Sequence, residues 1–327
     1  DYPKYADKRD SGFSIFYMAI NIGALFAPTA AIKIKEWAEQ SLGYSSNDAY
    51  HFSFAVACAS LILSIAIYYL FRSTFRHTEG GKKKEKGENK VANEPELSKE
   101  ETKQRIVALC LVFAVVIFFW MAFHQNGLSL TYFADEFTNH TVEGVQSMAF
   151  DVWNLVLIIF IVYAGFALFQ SKTSKGRGIA AAIIIAAVAL LVYKYSQVQG
   201  ELGITAPIFQ QFNPFYVVAL TPVSMAIFGM LSAKGKEPSA PRKIAYGMIV
   251  AAAAYALMMF FSFSLPMPQT EMGPDGEPVA LHVADVTPNL LIGVYLILTF
   301  GELLLSPMGI SFVSKVAPPK YKGMMMG

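Results

Sequence analysis

The chain has 327 residues, of which 54% are hydrophobic, 14% aromatic and 15% charged, with a formal net charge of +2. Its apolar residues gather in blocks of about 20, the length that crosses a bilayer as a helix, which excludes an ordinary soluble domain. The blocks are continuous rather than alternating, which also excludes a membrane β-barrel.

In chain order the blocks predict helices at about 12 to 31, 51 to 71, 106 to 132, 150 to 170, 178 to 196, 212 to 232, 243 to 265 and 289 to 313. The result is an all-α polytopic membrane protein with about eight crossings. Only SKTSKGRG separates the fourth and fifth, so they form a tight helical hairpin. Residues 72 to 105 interleave ten basic with seven acidic residues and read as a polar linker. Pro222 and Ser306-Pro307 are expected to interrupt their spans, and Asn213-Pro214 to open one, because proline removes a backbone donor.

Lysine and arginine set the orientation. With the first span running outward, the inside segments, 233 to 243 among them, hold 23 of the 26 basic residues; the opposite side keeps Lys33, Lys35 and Lys194. The loop 266 to 288 is acidic, has no Lys or Arg, and suits the outside.

Catalytic and metal signatures are absent from the sequence. Cys58 and Cys110 match no disulfide or metal spacing and are expected to be small core residues. Five scattered histidines form no ligand set, and no phosphate-binding loop occurs. The chain is therefore expected not to be an enzyme, to hold no cofactor or metal, and not to bind nucleic acid, since its basic residues sort by membrane side.

One residue stands out against this background. Glu302 lies deep in NLLIGVYLILTFGELLLSPMGISFVS, where a charge costs ~2.5 to 3.5 kcal/mol on insertion scales. Such a group usually faces a polar cavity; a helix–helix salt bridge is the plainer alternative.

Four blocks, RDSGFSIFYMAINIGALFAP, FFWMAFHQNGLSLT, FNPFYVVALTPVSMAIFG and GELLLSPMGISFVSKVAPPKYKGMMMG, occur in order. Together they resemble the signatures of the proton-dependent oligopeptide transporter family, within the major facilitator fold. The resemblance implies an internal fragment of that fold, running from family helix five to the start of helix eleven. Residues 1–72 would be the last two helices of the N-terminal bundle, 73–104 a cytoplasmic inter-bundle linker, and 105–327 an incomplete C-terminal bundle. The hairpin at about 150–196 is a departure, since many bacterial members carry their extra pair between the bundles.

By the same resemblance Glu302 matches a glutamate that receives the peptide amino terminus, and Asn21 and Asn213 match asparagines that hydrogen-bond the peptide. For Asn213, a helix cap before Pro214 is the structural alternative. Trp120 matches a tryptophan lining the side-chain pocket. Tyr17, one turn before Asn21, and Ser306, one turn after Glu302, are further candidates. His124 stands where the family usually has an acidic residue associated with proton coupling. Histidine titrates near neutrality, so His124 and Glu302 are the proton-coupling candidates; a neutral His124 packed on Gln125 is the alternative.

The implied function is proton-coupled symport of di- and tripeptides by alternating access, in a bacterial inner membrane. Residues 1–327 alone are expected not to transport. The alternatives are a same-fold carrier of an amino acid or anion, and a non-transporting receptor or scaffold.

Overall fold

A computed structural model describes residues 9–75, 97–273, 278–318 and 321–326. Most of the expected linker, residues 76–96, lies outside them. Eight helices among the described residues are long and apolar enough to cross a membrane.

Helix α1 (Arg9–Leu42) leads through Gly43 to α2 (Ser46–Phe75). Gly43 takes φ +73°, a conformation that ends a helix at little cost only in glycine. Trp37 and Tyr44 close on Phe52 across that turn, with ring centroids 6.1 and 5.0 Å away. Much of α2 is otherwise exposed apolar side chain, which lipid tolerates because the helix satisfies its own backbone.

Helix α3 (Lys99–Phe123) opens with a capping box: Ser98 Oγ accepts from the Glu101 amide at 3.1 Å, and the Ser98 amide donates to Glu101 Oε2 at 3.0 Å. The expected span to 132 lies within one apolar crossing, Lys99–Phe137, whose helix is not uniform. A 3₁₀ turn, His124–Gly127, separates α3 from α4 (Ser129–Phe137). Two phenols from elsewhere take carbonyls at this break: Tyr255 donates to Ala122 O at 2.6 Å and Tyr295 to Asn126 O at 3.1 Å.

After β1 (Thr141–Glu143) and the short α5 (Gly144–Met148) comes the hairpin of α6 (Val152–Gln170) and α7 (Ser174–Ser196). Its turn is as tight as the sequence predicts. Thr173 Oγ1 caps α7 by accepting from the Gly176 amide at 3.1 Å, and a Cβ on Gly176 would lie 2.2 Å from Ser171 Oγ. Strand β2 (Glu201–Gly203) returns antiparallel to β1, pairing Thr141 with Gly203.

A 3₁₀ segment, Ala206–Gln211, runs into α8 (Phe212–Ala233), followed by α9 (Ala240–Ser262), the antiparallel ribbon β3 (Thr270–Met272) and β4 (Pro278–Ala280), α10 (Pro288–Val316) and α11 (Lys322–Met326). The interruptions expected at Pro222 and Pro307 do not occur: α8 and α10 run through both. For Pro222 the reason is visible. The carbonyl it leaves without an amide, that of Val218, accepts from Tyr163 OH of α6 at 3.1 Å.

Helix α10 is the centre of the molecule, with Leu291, Val294, Tyr295 and Leu298 at most 1% exposed. It crosses α9 backbone to backbone: a Cβ on Gly247 would fall 2.6 Å from the Gly301 carbonyl, and one on Gly301 would fall 2.7 Å from the Gly247 carbonyl. Glycine at both positions allows this approach.

Two side-chain expectations fail. Cys58 and Cys110 are exposed rather than core, because an apolar face turned toward lipid has no need of protein cover. Lys243, counted among loop residues, is buried at 4% exposure in the first turn of α9. Its Nζ lies 2.5 Å from Glu237 Oε1, 3.6 Å from Met308 Sδ and 4.2 Å from the Phe228 ring centroid. A lysine at a helix N-terminus meets the positive end of the dipole, so these partners are what hold it there.

Candidate functional site

Helices α1, α8 and α10 converge on one carboxylate. Glu302 is 2% exposed. Its Oε1 accepts from the hydroxyl of Tyr17 on α1, and its Oε2 accepts from Asn213 Nδ2 on α8 at 2.6 Å. Asn213 Nδ2 also reaches Thr299 Oγ1 at 3.0 Å, and Thr299 Oγ1 donates in turn to the Tyr295 carbonyl at 2.7 Å.

This arrangement decides two alternatives. No ion pair to Glu302 exists among the described residues, so a salt bridge is not what holds the charge. Asn213 does not cap its helix; the preceding 3₁₀ segment runs into α8 and frees the amide to turn toward α10.

Glu302 is thus satisfied by neutral donors, which stabilise a carboxylate through charge-assisted hydrogen bonds without cancelling its charge. A cation or proton brought to it would gain the full strength of a poorly screened interaction. The group is closed to solvent in this arrangement, with Tyr17 and Asn213 as its covers. One turn further along α10, a cavity of about 350 Å3 is bordered by Ser14, Thr221, Lys243, Leu303, Pro307 and Met308.

The other sequence candidates divide. Asn21 is buried, and its Nδ2 donates to the Tyr17 carbonyl one turn back at 3.0 Å, so it braces the backbone that carries the phenol. Ser306 is beside the cluster, near the Tyr17 phenol, yet its buried Oγ forms no hydrogen bond of ordinary geometry. It bonds neither the carboxylate nor a freed carbonyl.

Trp120 and His124 make their ring contacts elsewhere. Trp120 packs against Phe119, Phe123 and His124 at centroid distances of 5.6, 5.4 and 5.6 Å. His124 is exposed, with its ring on Trp120 and Phe123, while Gln125 bonds Met121 O and Ser129 instead.

Thr299 was missed in the sequence, although its place three residues before Glu302 puts it on the same helical face.

The profile of the POT family matches residues 1–94 and 184–327, well over half the chain. The chain belongs to the POT family. Glu302, Tyr17, Asn21, Asn213 and Ser306 all fall in the matched residues; Trp120, His124 and most of the inserted hairpin do not.

Among curated proteins, this POT-family chain is 24% identical to the dipeptide and tripeptide permease B of Salmonella typhimurium, over 97% of its own length and 56% of that protein. It is 27% identical to the uncharacterized transporter YclF of Bacillus subtilis, over 99% of this chain and 58% of the relative. A further relative, the peptide transporter YePEPT of Yersinia enterocolitica, is 24% identical over 98% of this chain and 58% of its own.

The chain therefore spans less than two thirds of the length of these relatives. They are named as permeases and transporters, not as enzymes. A solved peptide transporter POT in complex with sulfate is 22% identical, with TM-score 0.43, over 99% of this chain and 59% of that one.

Proposed function

We propose that the protein containing this chain is a proton-coupled symporter that moves di- and tripeptides inward by alternating access. The observation that carries the reading is Glu302: a buried carboxylate at the meeting of three helices, held by Tyr17 and Asn213 and by no cation among the described residues. A peptide's ammonium is a fitting positive partner, and a proton is the competing one, so the same atoms couple the two.

In this reading Asn213 exchanges its bond to Glu302 for one to the peptide, because an amide offers both donors and an acceptor and makes no demand on side-chain identity. Asn21 acts through Tyr17. Helices α1 and α2 belong to one bundle and α3 to α10 to the other, joined by the cytoplasmic segment at 73–104. Peptide-permease names among the relatives support the substrate class. The expected location is a bacterial inner membrane with the lysine-rich ends of the helices inside.

The test is uptake of labelled dialanine by the full-length protein in proteoliposomes under an inward proton gradient. Uptake that needs the gradient and disappears in Glu302→Gln is the expected result. Folded wild type that accumulates no dialanine would overturn the reading in favour of another solute or a non-transporting role.

A further inference from the structure

A larger cavity, about 630 Å3, lies away from Glu302, between α1 and the inserted hairpin. That volume is within the range of small-molecule sites. Its hairpin wall carries Asp151 and Lys194, paired at 2.5 Å through Oδ2 while Asp151 Oδ1 accepts from the Trp153 amide at 2.9 Å. Their side chains stay 38% and 33% exposed, and lone pairs and N–H groups not used in these bonds are left for the cavity. Its α1 wall carries Lys33 and Glu36, which make no ion pair among the described residues. Thus each wall presents one cation and one anion.

Asn154 also lines the cavity. It is 2% exposed, its Nδ2 donates to the Met148 carbonyl at 2.9 Å, and its Oδ1 has no hydrogen-bond partner. A buried amide oxygen left unbonded is destabilising, unless a ligand donor supplies the bond. The structure does not leave this corner to chance: Phe26 of α1 rests on Trp153 beside it, with centroids 5.7 Å apart.

We propose that this cavity is a second binding site, for a small zwitterion of the amino acid or short-peptide class, distinct from Glu302. The ligand's ammonium goes to Asp151 and Glu36, its carboxylate to Lys194 and Lys33, and an N–H to Asn154 Oδ1. A molecule carrying both charges matches a cavity lined with both; a simple anion or cation would leave two of the four groups facing a like charge.

The experiment is equilibrium binding of labelled dialanine to the full-length Glu302→Gln protein in nanodiscs, with melting followed in parallel. Saturable binding is expected to persist, and to weaken about 10-fold or more when Lys194→Gln or Asn154→Leu is added. N-acetylalaninamide, which has neither charge, is expected not to compete. Loss of all binding in Glu302→Gln alone overturns the second site while leaving the Glu302 reading intact. Binding that neither added substitution changes, or that the blocked compound displaces equally, overturns it as well. Lys194→Gln alters a partly exposed side chain, so it decides the matter should Asn154→Leu fail to fold.

Discussion

Glu302 and Lys243 are both buried charges in the same group of helices, yet they are held in opposite ways. Lys243 has a carboxylate, an aromatic face and a sulfur around it. Glu302 has a phenol, an amide and no counter-charge among the described residues. A charge with its counter-ion built in is already neutralised, and exchanging that partner would strand the other ion. A charge held by neutral dipoles is stable enough to persist and still open to a cation. On the proposed function, the comparison separates a charge kept for architecture from one kept for exchange, and it can be broken by substitution.

The largest effect is expected from Glu302→Gln, which keeps the size and one acceptor but removes the charge. Proton-driven dialanine uptake by the full-length protein should fall about 30-fold or more, as ~2 to 5 kcal/mol of charge pairing is lost, while the melting temperature holds or rises. Lys243→Met should do the reverse. Stability should drop by about 1 to 3 kcal/mol, less than for a fully buried pair because Glu237 is partly exposed. Thermal melts should show Glu237→Gln recovering part of that loss in the double variant. If uptake falls at unchanged stability instead, the contrast between the two charges is wrong.

Smaller effects sharpen the picture. Asn213→Ala removes the 2.6 Å donor and should weaken dialanine affinity by about 1 to 2 kcal/mol, measured by competition binding. Tyr17→Phe removes one hydroxyl and should cost about 1 kcal/mol in the same assay. An equal response to Asn213→Ala and to Asn21→Ala would contradict the bracing role of Asn21, whose amide bonds backbone rather than the carboxylate.

The spans were legible in the sequence because bilayer thickness imposes block length, a constraint that needs no knowledge of packing. The end of α3 was not. The turn at His124–Gly127 is secured by the phenols of Tyr255 and Tyr295, more than 100 residues away, and no local pattern reports them. Pro222 misled for the same reason, since the group that completes its helix is Tyr163.

Within the site, Glu302 was readable as a charge in an apolar stretch, Asn213 through the resemblance and Tyr17 from its place one turn before Asn21, and the structure joins the three. Trp120 and His124 rested on resemblance alone, and their ring contacts lie with each other and with Phe119 and Phe123. Lys243 escaped because a lysine at a span's end looks like an interfacial anchor; only Glu237 and Phe228, folded against it, turn it inward.

Tyr163 also has a mechanical consequence. The same hydroxyl that bonds the Val218 carbonyl of α8 lies within hydrogen-bond reach of Met18 Sδ on α1, one residue past Tyr17. The inserted hairpin is therefore tied to α8 by one hydroxyl that also rests against α1. On the alternating-access reading, a swing of α1 away from α8 parts Met18 from that hydroxyl, so the hairpin resists the displacement that would uncover the carboxylate.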